Sequence, residues 1–583
     1  MGYNNTSLDL RQIDSKMRIA QRTSSPKVVS SLESEGLSPV LARLLAARGV
    51  TTRAHLSPSL AHLLHYHELK GAVEMASILA DAVVCQKRLL VVADYDADGA
   101  TSCAIMMRGL GAFGANVGYI IPDRIEHGYG LTPAIAEIAC AQSPKPGYIV
   151  TVDNGIASHA GIERCNELGV PVLVTDHHLP AQAPPPALCV VNPNQHGCEF
   201  PSKNMAGCGV AFYVMWALQD ELVDRGWDGF VAGFDVTQLL PIVALGTVAD
   251  VVAMDLNNRI LVNEGLCRIR AGQSFAGLEA LAKVSARNPR KLSTSDFGFS
   301  LGPRINAAGR LASMNAGVEC LITDDTQRAI TLAEELHAIN DKRREIEGDM
   351  IDEAVRQLVT ELSVDRYTAV LHAAKWHQGV IGIVAGRIKE KVWRPTLVMA
   401  EGKNGELKGS GRSIPGFHLR DALDEVDRMC PGVLLKFGGH AMAAGVTLAP
   451  GGLEAFSEAF EKVAKRLLSP ALLMQTLETD GPLSASEMSL QTVEELKKVV
   501  WGQGFPPPVF CDVFNVVSAR PIGTNGDHLK LRLEKDGLQF DAVKFRHADG
   551  LPPARIQAAY QLDANTWRDN TNLQLLLEHY ETA

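Results

Sequence analysis

What the chain has little of narrows its class first. No CxxC pair occurs, and the eleven cysteines are scattered over 583 residues. That pattern excludes a zinc ribbon or a disulfide-stapled scaffold and fits reduced thiols in a cytosolic protein. No apolar run is long enough to cross a bilayer. The opening MGYNNTSLDLRQIDSK has no apolar h-region, so neither a membrane anchor nor a secretory signal is expected. Neither GxxxxGKS nor GxxxxGKT is present, which removes P-loop nucleotide binding, and nothing suggests a Ser-His-Asp triad. Basic residues fall short of acidic ones, leaving a formal net charge of −10. Phosphate contacts need Lys and Arg, so nucleic-acid binding would require a local basic cleft that acidic residues elsewhere outweigh. At 46% hydrophobic residues, the chain reads as a soluble globular protein, too long for one core and long enough for three or four domains.

What is present is concentrated in Leu89–Ser102, LLVVADYDADGATS. Leu89 to Ala93 is a short apolar run of the kind that forms a buried strand. Asp94, Asp96 and Asp98 follow at alternating positions, then Gly99, Thr101 and Ser102, then an apolar segment from Ala104 to Phe113. The order reads as strand, turn, N-cap and helix. Carboxylates two apart on extended chain point to one side. Like charges so placed are costly unless cations neutralise them, and oxygen ligands suit Mg²⁺ or Mn²⁺. The plain alternative is an acidic solvated loop or a calcium loop, although the closing glutamate of an EF-hand is missing.

From there strands and helices alternate. Tyr148–Val152 ends in Asp153, Asn154 and Gly155; Val170–Val174 ends in Thr175, Asp176, His177 and His178; Leu188–Val191 ends in Asn192, Pro193 and Asn194; and Val117–Ile121 leads to Asp123 and Arg124. Such βαβ alternation predicts an α/β fold with a doubly wound parallel sheet, whose ligands bind beyond the carboxyl ends of the strands. Polar clusters at four such ends raise the acidic stretch above an accidental loop. Leu239–Val252 reads as a buried helix carrying one carboxylate, Asp250, which needs a partner: a capping role is the plain reading and a metal ligand the alternative. GPRINAAGR sets Arg304 and Arg310 among small residues, suited to a phosphate backbone, with a structural ion pair as the alternative for Arg304.

Further on, Thr326–Leu362 keeps a helical stripe of Leu332, Leu336, Ile339, Ile346 and Met350, which predicts a long connecting helix, with Gly348 as the place for a kink. Residues 367–464 read as a second α/β unit. Its glycine-rich turns, GSGRS with Ser410 and Arg412 and GGH with Gly438, Gly439 and His440, let amides and a cation meet a phosphate. Beyond Pro470 the pattern turns to strands: HLKLRLE alternates, and Asp536-Gly537 is a hairpin signal. A small OB-type β-barrel is expected, with most of its aromatics in the core. The first 35 residues are polar and read as loosely ordered.

Asp94, Asp96, Asp98, Asp153, Asp176, His177, His178 and Asp250 together could hold two divalent ions, which would clamp the attacking and leaving oxygens of phosphoryl hydrolysis. With DYDADG, VDNG, Asp-His-His and GTVADVV in this order, the chain resembles the DHH phosphoesterase superfamily, and GGH resembles the associated second domain. Within it the resemblance runs from about Ser38 onward to the bacterial single-strand-specific 5′→3′ exonucleases. It implies a division into an N-terminal extension (1–50), a DHH catalytic domain (51–325), a connecting helix (326–362), a DHH-associated domain (363–466) and an OB-type domain (467–583).

The resemblance also implies roles. Mn²⁺ or Mg²⁺ would be held by Asp94, Asp96, Asp98, Asp153, His177 and Asp250, with Asp153 bridging. His178 would face the scissile phosphate, with Asp176 orienting a histidine. Arg124, Arg304, Arg310, Ser410, Arg412, Gly438, Gly439 and His440 would bind substrate. It further implies release of 5′-mononucleotides in DNA repair and recombination, by a cytoplasmic monomer that acts with a single-stranded-DNA-binding protein and a RecQ-type helicase. Two other readings are a DHH enzyme acting on smaller substrates, which the chain length and barrel oppose, and a non-catalytic DNA-binding relative, which the full set of ligands opposes.

Overall fold

β1 (Met17–Gln21) opens the described part of this computed structural model, which comprises residues 17–53, 59–124, 126–181, 183–361, 366–523, 526–547, 550–567 and 570–583. Among these residues the first sheet has five strands, β2 (Leu89–Ala93), β3 (Val117–Ile120), β4 (Tyr148–Val152), β5 (Val172–Thr175) and β6 (Cys189–Val191). They lie in the order β3-β2-β4-β5-β6, and every pairing is parallel. Alternate residues feed two cores. Leu89, Val91, Ala93, Val150 and Val152 face helices Ala97–Ala112, Gly207–Asp224 and Leu240–Ala249, whereas Leu90, Val92, Ile149, Val172 and Val174 face helices Pro133–Cys140 and His159–Glu167. Both faces are covered, as a doubly wound parallel sheet requires. The chain leaves β2 to one side for β3 and returns on the other for β4, so a crevice opens between the ends of β2 and β4.

The helix Gly302–Leu311 lies against the chain just past β2. It packs so tightly that a Cβ at Gly309 would sit 1.8 Å from the Tyr95 carbonyl oxygen. Next comes the helix Thr326–Glu361, 36 residues and about 54 Å long. It runs through Gly348 as one helix; residue 362 lies outside the described residues. The second sheet follows, β7 (Ala369–His372), β8 (Thr396–Glu401), β9 (Leu407–Arg412), β10 (Leu434–Gly439) and β11 (Ala443–Leu448), in the order β10-β11-β9-β8-β7.

β12 (Gln475–Thr479) leads to a closed barrel of β13 (Phe510–Ile522), β14 (His528–Lys535), β15 (Leu538–Lys544), β16 (Arg555–Trp567) and β17 (Asn570–Thr582). The two-residue loop Asp536-Gly537 has positive φ at both positions, the geometry that suits a tight hairpin. Phe510, Phe514, Phe540 and Tyr560 fill the barrel, while Phe545 is exposed. No helix among the described residues is long and apolar enough to cross a membrane.

Four sequence expectations change. Within residues 17–35, expected to be loose, β1 pairs along its whole length with β12 and a helix spans Pro26–Ser34. Just beyond, Val40 and Leu44 of the helix Pro39–Ala46 enter the barrel core. Polarity misled here because the strand needs only a partner edge. Second, the helix after β2 starts at Ala97, not near Ala104, because the Asp96 carboxylate caps it by accepting from the Gly99 amide at 3.0 Å; Asp98 therefore sits on a helical turn. Third, the buried helix expected over Leu239–Val252 ends at Ala249, and Asp250 follows it as the cap.

Fourth, GSGRS is not a turn, and of GGH only His440 enters one, the connection from β10 to β11. Gly409–Arg412 lies in the interior strand β9, and Gly438 and Gly439 end β10. Gly409 and Gly411 press on Val446 and Leu419, with no room for a side chain. Ser410 and Arg412 point to the other face.

The N-terminal segment is tied to the barrel through Asp480. Its carboxylate accepts from the Arg48 guanidinium at 2.8 and 2.9 Å and from the Val509 amide at 3.0 Å, and both charged side chains are buried. Asp480→Ala would strand a buried cation, so urea unfolding should show a loss of about 3–5 kcal/mol. A loss below about 1 kcal/mol, as for a surface pair, would show that the segment docks without this ion pair.

Candidate metal centre

Four chain segments deliver acids and imidazoles to the crevice. β2 ends at Ala93, and Asp94, Asp96 and Asp98 follow on the strand end, the helix cap and the first helical turn. Asp153 follows β4 with φ 59°, a left-handed conformation uncommon outside glycine and retained where the surroundings impose it. Asp176, His177 and His178 follow β5, and Asp250 caps the helix Leu240–Ala249.

Ligand atoms fall into three overlapping groups, each spanning no more than 4.8 Å: Asp94, Asp96 and Asp153; Asp98, His177 and Asp250; and Asp153, His177 and His178. His177 Nε2 lies 3.1 Å from Asp153, 3.6 Å from Asp250 and 3.9 Å from Asp98. Asp96 and Asp98 thus belong to different groups, and Asp153 stands between them.

The donor set fits divalent cations on a direct observation. Asp94 Oδ1, Asp153 Oδ1, His177 Nε2 and Asp250 Oδ2 are buried and have no hydrogen-bond partner among the described residues. Buried polar atoms without partners are rare and costly, and here they converge on one another. Burial first, and then neighbouring carboxylates, hold Asp94, Asp153 and Asp250 well above the usual carboxylate range and raise Asp98 as well. Burial lowers His177, keeping its imidazole neutral and ligand-competent.

Asp176 is different. Burial would raise it, but the hydrogen bond and charge of His178, the charge of His177 and the Ile156 amide together hold it low. Its oxygens accept from the amides of Ile156, His177 and His178 and lie 2.8 Å from His178 Nδ1, so its lone pairs are taken up by protein donors. Burial would lower His178, but Asp176 beside it pushes it up to about 9.

Several supports were not singled out from sequence. The amides of Gly207 and Cys208, at the start of the helix Gly207–Asp224, donate to Asp98 at 2.6 and 3.0 Å. A Cβ at Gly207 would strike Asp153 at 2.8 Å. Asn306 Oδ1 accepts from the Ala97 amide at 2.9 Å. Tyr129 Oη lies 3.2 Å from His178 Nδ1 and donates to the Asp153 carbonyl at 3.3 Å. Asn192 and Asn194 hold the carbonyls of His178 and His177. Only the two asparagines carried a sequence signal, their place at the end of β6.

A cationic pocket adjoins the carboxylates. Burial lowers Arg310 to about 10, with Arg124, Arg412 and Arg343 adding to the effect and Asp96 opposing it. Arg124 stacks on the Tyr95 ring at 4.2 Å, and its buried Nε has no hydrogen-bond partner among the described residues. Arg412 donates to Ser410 Oγ at 3.2 Å. Gly438, Gly445 and Ser410 are cross-strand neighbours, and the His440 amide donates to Ala443, which pairs with Arg412. Arg304 is directed elsewhere: it is buried against the long helix and donates to the Ser300 carbonyl at 2.7 Å and to His337 at 3.2 Å.

Comparisons with known proteins agree with this architecture. The DHH family N-terminal domain matches residues 88–247, the DHHA1 domain residues 365–466, and the RecJ OB domain residues 479–579. The chain is 45% identical over 558 residues to the single-stranded-DNA-specific exonuclease RecJ of Salmonella typhimurium, covering 93% of this chain and 96% of that protein. RecJ from Thermus thermophilus, solved with Mn²⁺, superposes with a TM-score of 0.81 at 31% identity, covering 97% of this chain and 80% of that one. The same protein solved with Mg²⁺ gives 0.76 at 29% identity, with coverage of 97% and 78%.

The crowded carboxylates predict a crossing of stabilities. Without metal, Asp153→Asn should raise the melting temperature, because it removes one of several repelling buried charges. With Mn²⁺ at about a hundredfold excess over its dissociation constant, the unsubstituted protein should gain about 2.7 kcal/mol and the variant much less, so their order inverts. Equal Mn²⁺ stabilisation of both would place the ions away from Asp153.

Proposed function

The chain belongs to the RecJ family of single-stranded-DNA-specific exonucleases, and from that membership and the site geometry we propose that it degrades single-stranded DNA from the 5′ end by two-metal hydrolysis, releasing 5′-mononucleotides. The observation that carries this reading is the cationic pocket of Arg124, Arg310 and Arg412 beside the paired carboxylate groups. Hydrolysis at the carboxylates alone has no direction, because both strand polarities present the same phosphodiester. A cluster of guanidiniums on one side of the carboxylates would select a terminus bearing a phosphate.

Asp94, Asp96 and Asp153 would hold one Mn²⁺ or Mg²⁺, and Asp98, His177 and Asp250 the other, with Asp153 shared. Divalent ions bound there supply Lewis acidity and a water of lowered pKa. The protein's own groups do the remaining work. The helix amides of Gly207 and Cys208 fix Asp98. Asp176 locks the His178 ring from its Nδ1 side, so that His178 serves as a hydrogen-bond donor to the reacting phosphate. Arg412, Arg310 and Arg124 receive the terminal phosphate, Ser410 and the open position at Gly438 leave space beside it, and Gly439 and His440 line it. Arg304, held against the long helix, supports the substrate path without reaching this pocket. The barrel offers exposed Phe545, with the His528 ring edge-on at 5.2 Å, as a surface for more distant nucleotides.

The domain division at residues 51, 326, 363 and 467 belongs to this proposal. So do action in DNA repair and recombination, partnership with a single-stranded-DNA-binding protein and a RecQ-type helicase, and a monomeric cytoplasmic state.

Arg412→Ala should lower activity on 5′-phosphorylated single strands by one to two decades, from loss of a charged contact of about 2–3 kcal/mol. Activity on 5′-hydroxyl strands should fall far less. End-labelled strands measure the ratio. An unchanged ratio would move the 5′ pocket away from Arg412.

A further inference from the structure

Among the described residues, Phe299 is the most exposed large apolar side chain, at 85%. It is not on a loose loop. It sits in a single π-helical turn, Phe297–Leu301, whose end residues Phe297 and Leu301 are wholly buried. Such turns insert an extra residue and are frequent at functional sites. A Cβ at Gly298 would lie 3.6 Å from Val248, and one at Gly302 3.1 Å from Ala249. The turn is therefore clamped onto the last residues of the helix that delivers Asp250. Immediately after Asp250, Val251 is also exposed and has φ 65°, a strained conformation for a β-branched residue. Neither Phe299 nor Val251 contributes to a core; Val251 follows Asp250 directly, and the turn that carries Phe299 packs on the two residues before Asp250.

The helix Gly302–Leu311 supplies a ruler. Arg310, in the cationic pocket, is at its far end. Asn306, in the middle, holds the Ala97 amide of the carboxylate loop at 2.9 Å. Phe299 precedes its start, about 15 Å from Arg310 at the helical rise. The order along this helix is terminal-phosphate pocket, reacting centre, exposed ring. The two carboxylate groups follow the same order, because Asp96 is the acid that bears on Arg310, and Asp250, which follows the helix end on which the Phe299 turn packs, belongs to the other group. On the residue after the ring, Arg287, half exposed and paired with Asp296 at 3.1 Å, donates to Ser300 Oγ at 3.4 Å, and the buried Arg304 donates to the Ser300 carbonyl. An exposed aromatic face on a turn packed against the helix that delivers Asp250 is suited to stack on a base of a single strand.

We propose that Phe299 is a substrate-positioning residue. It stacks on a nucleobase on the 3′ side of the scissile phosphate, holding the strand in register while its 5′ end occupies the arginine pocket. The inference rests on the single-strand exonuclease reading above.

Steady-state kinetics on 5′-phosphorylated single strands with Mn²⁺ test it, using Phe299→Ala, Phe299→Leu and Phe299→Tyr and strands carrying one abasic site at successive positions from the 5′ end. Loss of one stacked base should raise KM about tenfold or more in the Ala and Leu variants, with kcat nearly unchanged, while Tyr retains the original KM. In the unsubstituted protein one abasic position should reproduce the rise, and in Phe299→Ala that position should add nothing. Melting temperatures should not move, because the ring is exposed. An unchanged KM in Phe299→Ala overturns the proposal while the exonuclease reading stands, as does full function in Phe299→Leu, which would mean apolar bulk and not stacking. Failure of the unsubstituted protein to degrade any single strand overturns both.

Discussion

Four carboxylates, the buried Asp94, Asp98 and Asp153 and the half-buried Asp250, lie within a few ångströms of one another with too little positive charge to balance them. Removing one such ion from water costs several kcal/mol, and mutual repulsion adds to it. The surrounding architecture is arranged to hold them there. β2 and β4 lie side by side with the switch in chain direction between them. The start of the helix Gly207–Asp224 turns two amides onto Asp98, and the end of another helix supplies Asp250. Asn306 pins the loop from the far side. No single element would keep these groups together; divalent cations compensate what the protein leaves unpaired.

Much of this was legible because buried parallel strands read as apolar runs and their carboxyl ends are where polar residues cluster. Tyr148–Val152 and Pro133–Cys140 stand where the pattern placed them. Motifs on one continuous segment, such as DYDADG and Asp-His-His, could be read directly. Supports from distant segments could not: nothing in the stretch around Gly207 shows that its amide meets an aspartate 109 residues earlier. Glycine was the other obstacle. In Gly409–Arg412 it signals a turn, yet here it permits packing beneath an interior strand. Tertiary contact overrides local propensity there.

Arg304 and Arg310 show the limit of residue type as evidence. Both lie in GPRINAAGR and looked equivalent. Six residues apart on a helix, they point about 120° apart. One is buried against the long helix, and the other faces the carboxylates. The same phase sets Asn306 toward the metal loop, so one short helix ties the long connecting helix, the cationic pocket and the reacting centre into a single frame. A basic cleft of this kind coexists with a net charge of −10 because only a few guanidiniums, focused in a groove of low dielectric, are needed to draw in phosphate.

The central claim is that one bridging carboxylate organises two cations. A crystal structure of the full chain grown with Mn²⁺, with anomalous scattering recorded at the manganese edge, measures it directly. Two peaks about 3.5–4 Å apart are expected, one beside Asp94 and Asp96, one beside Asp98, His177 and Asp250, and both bonded to Asp153. A single peak, or two peaks that do not share Asp153, would contradict it.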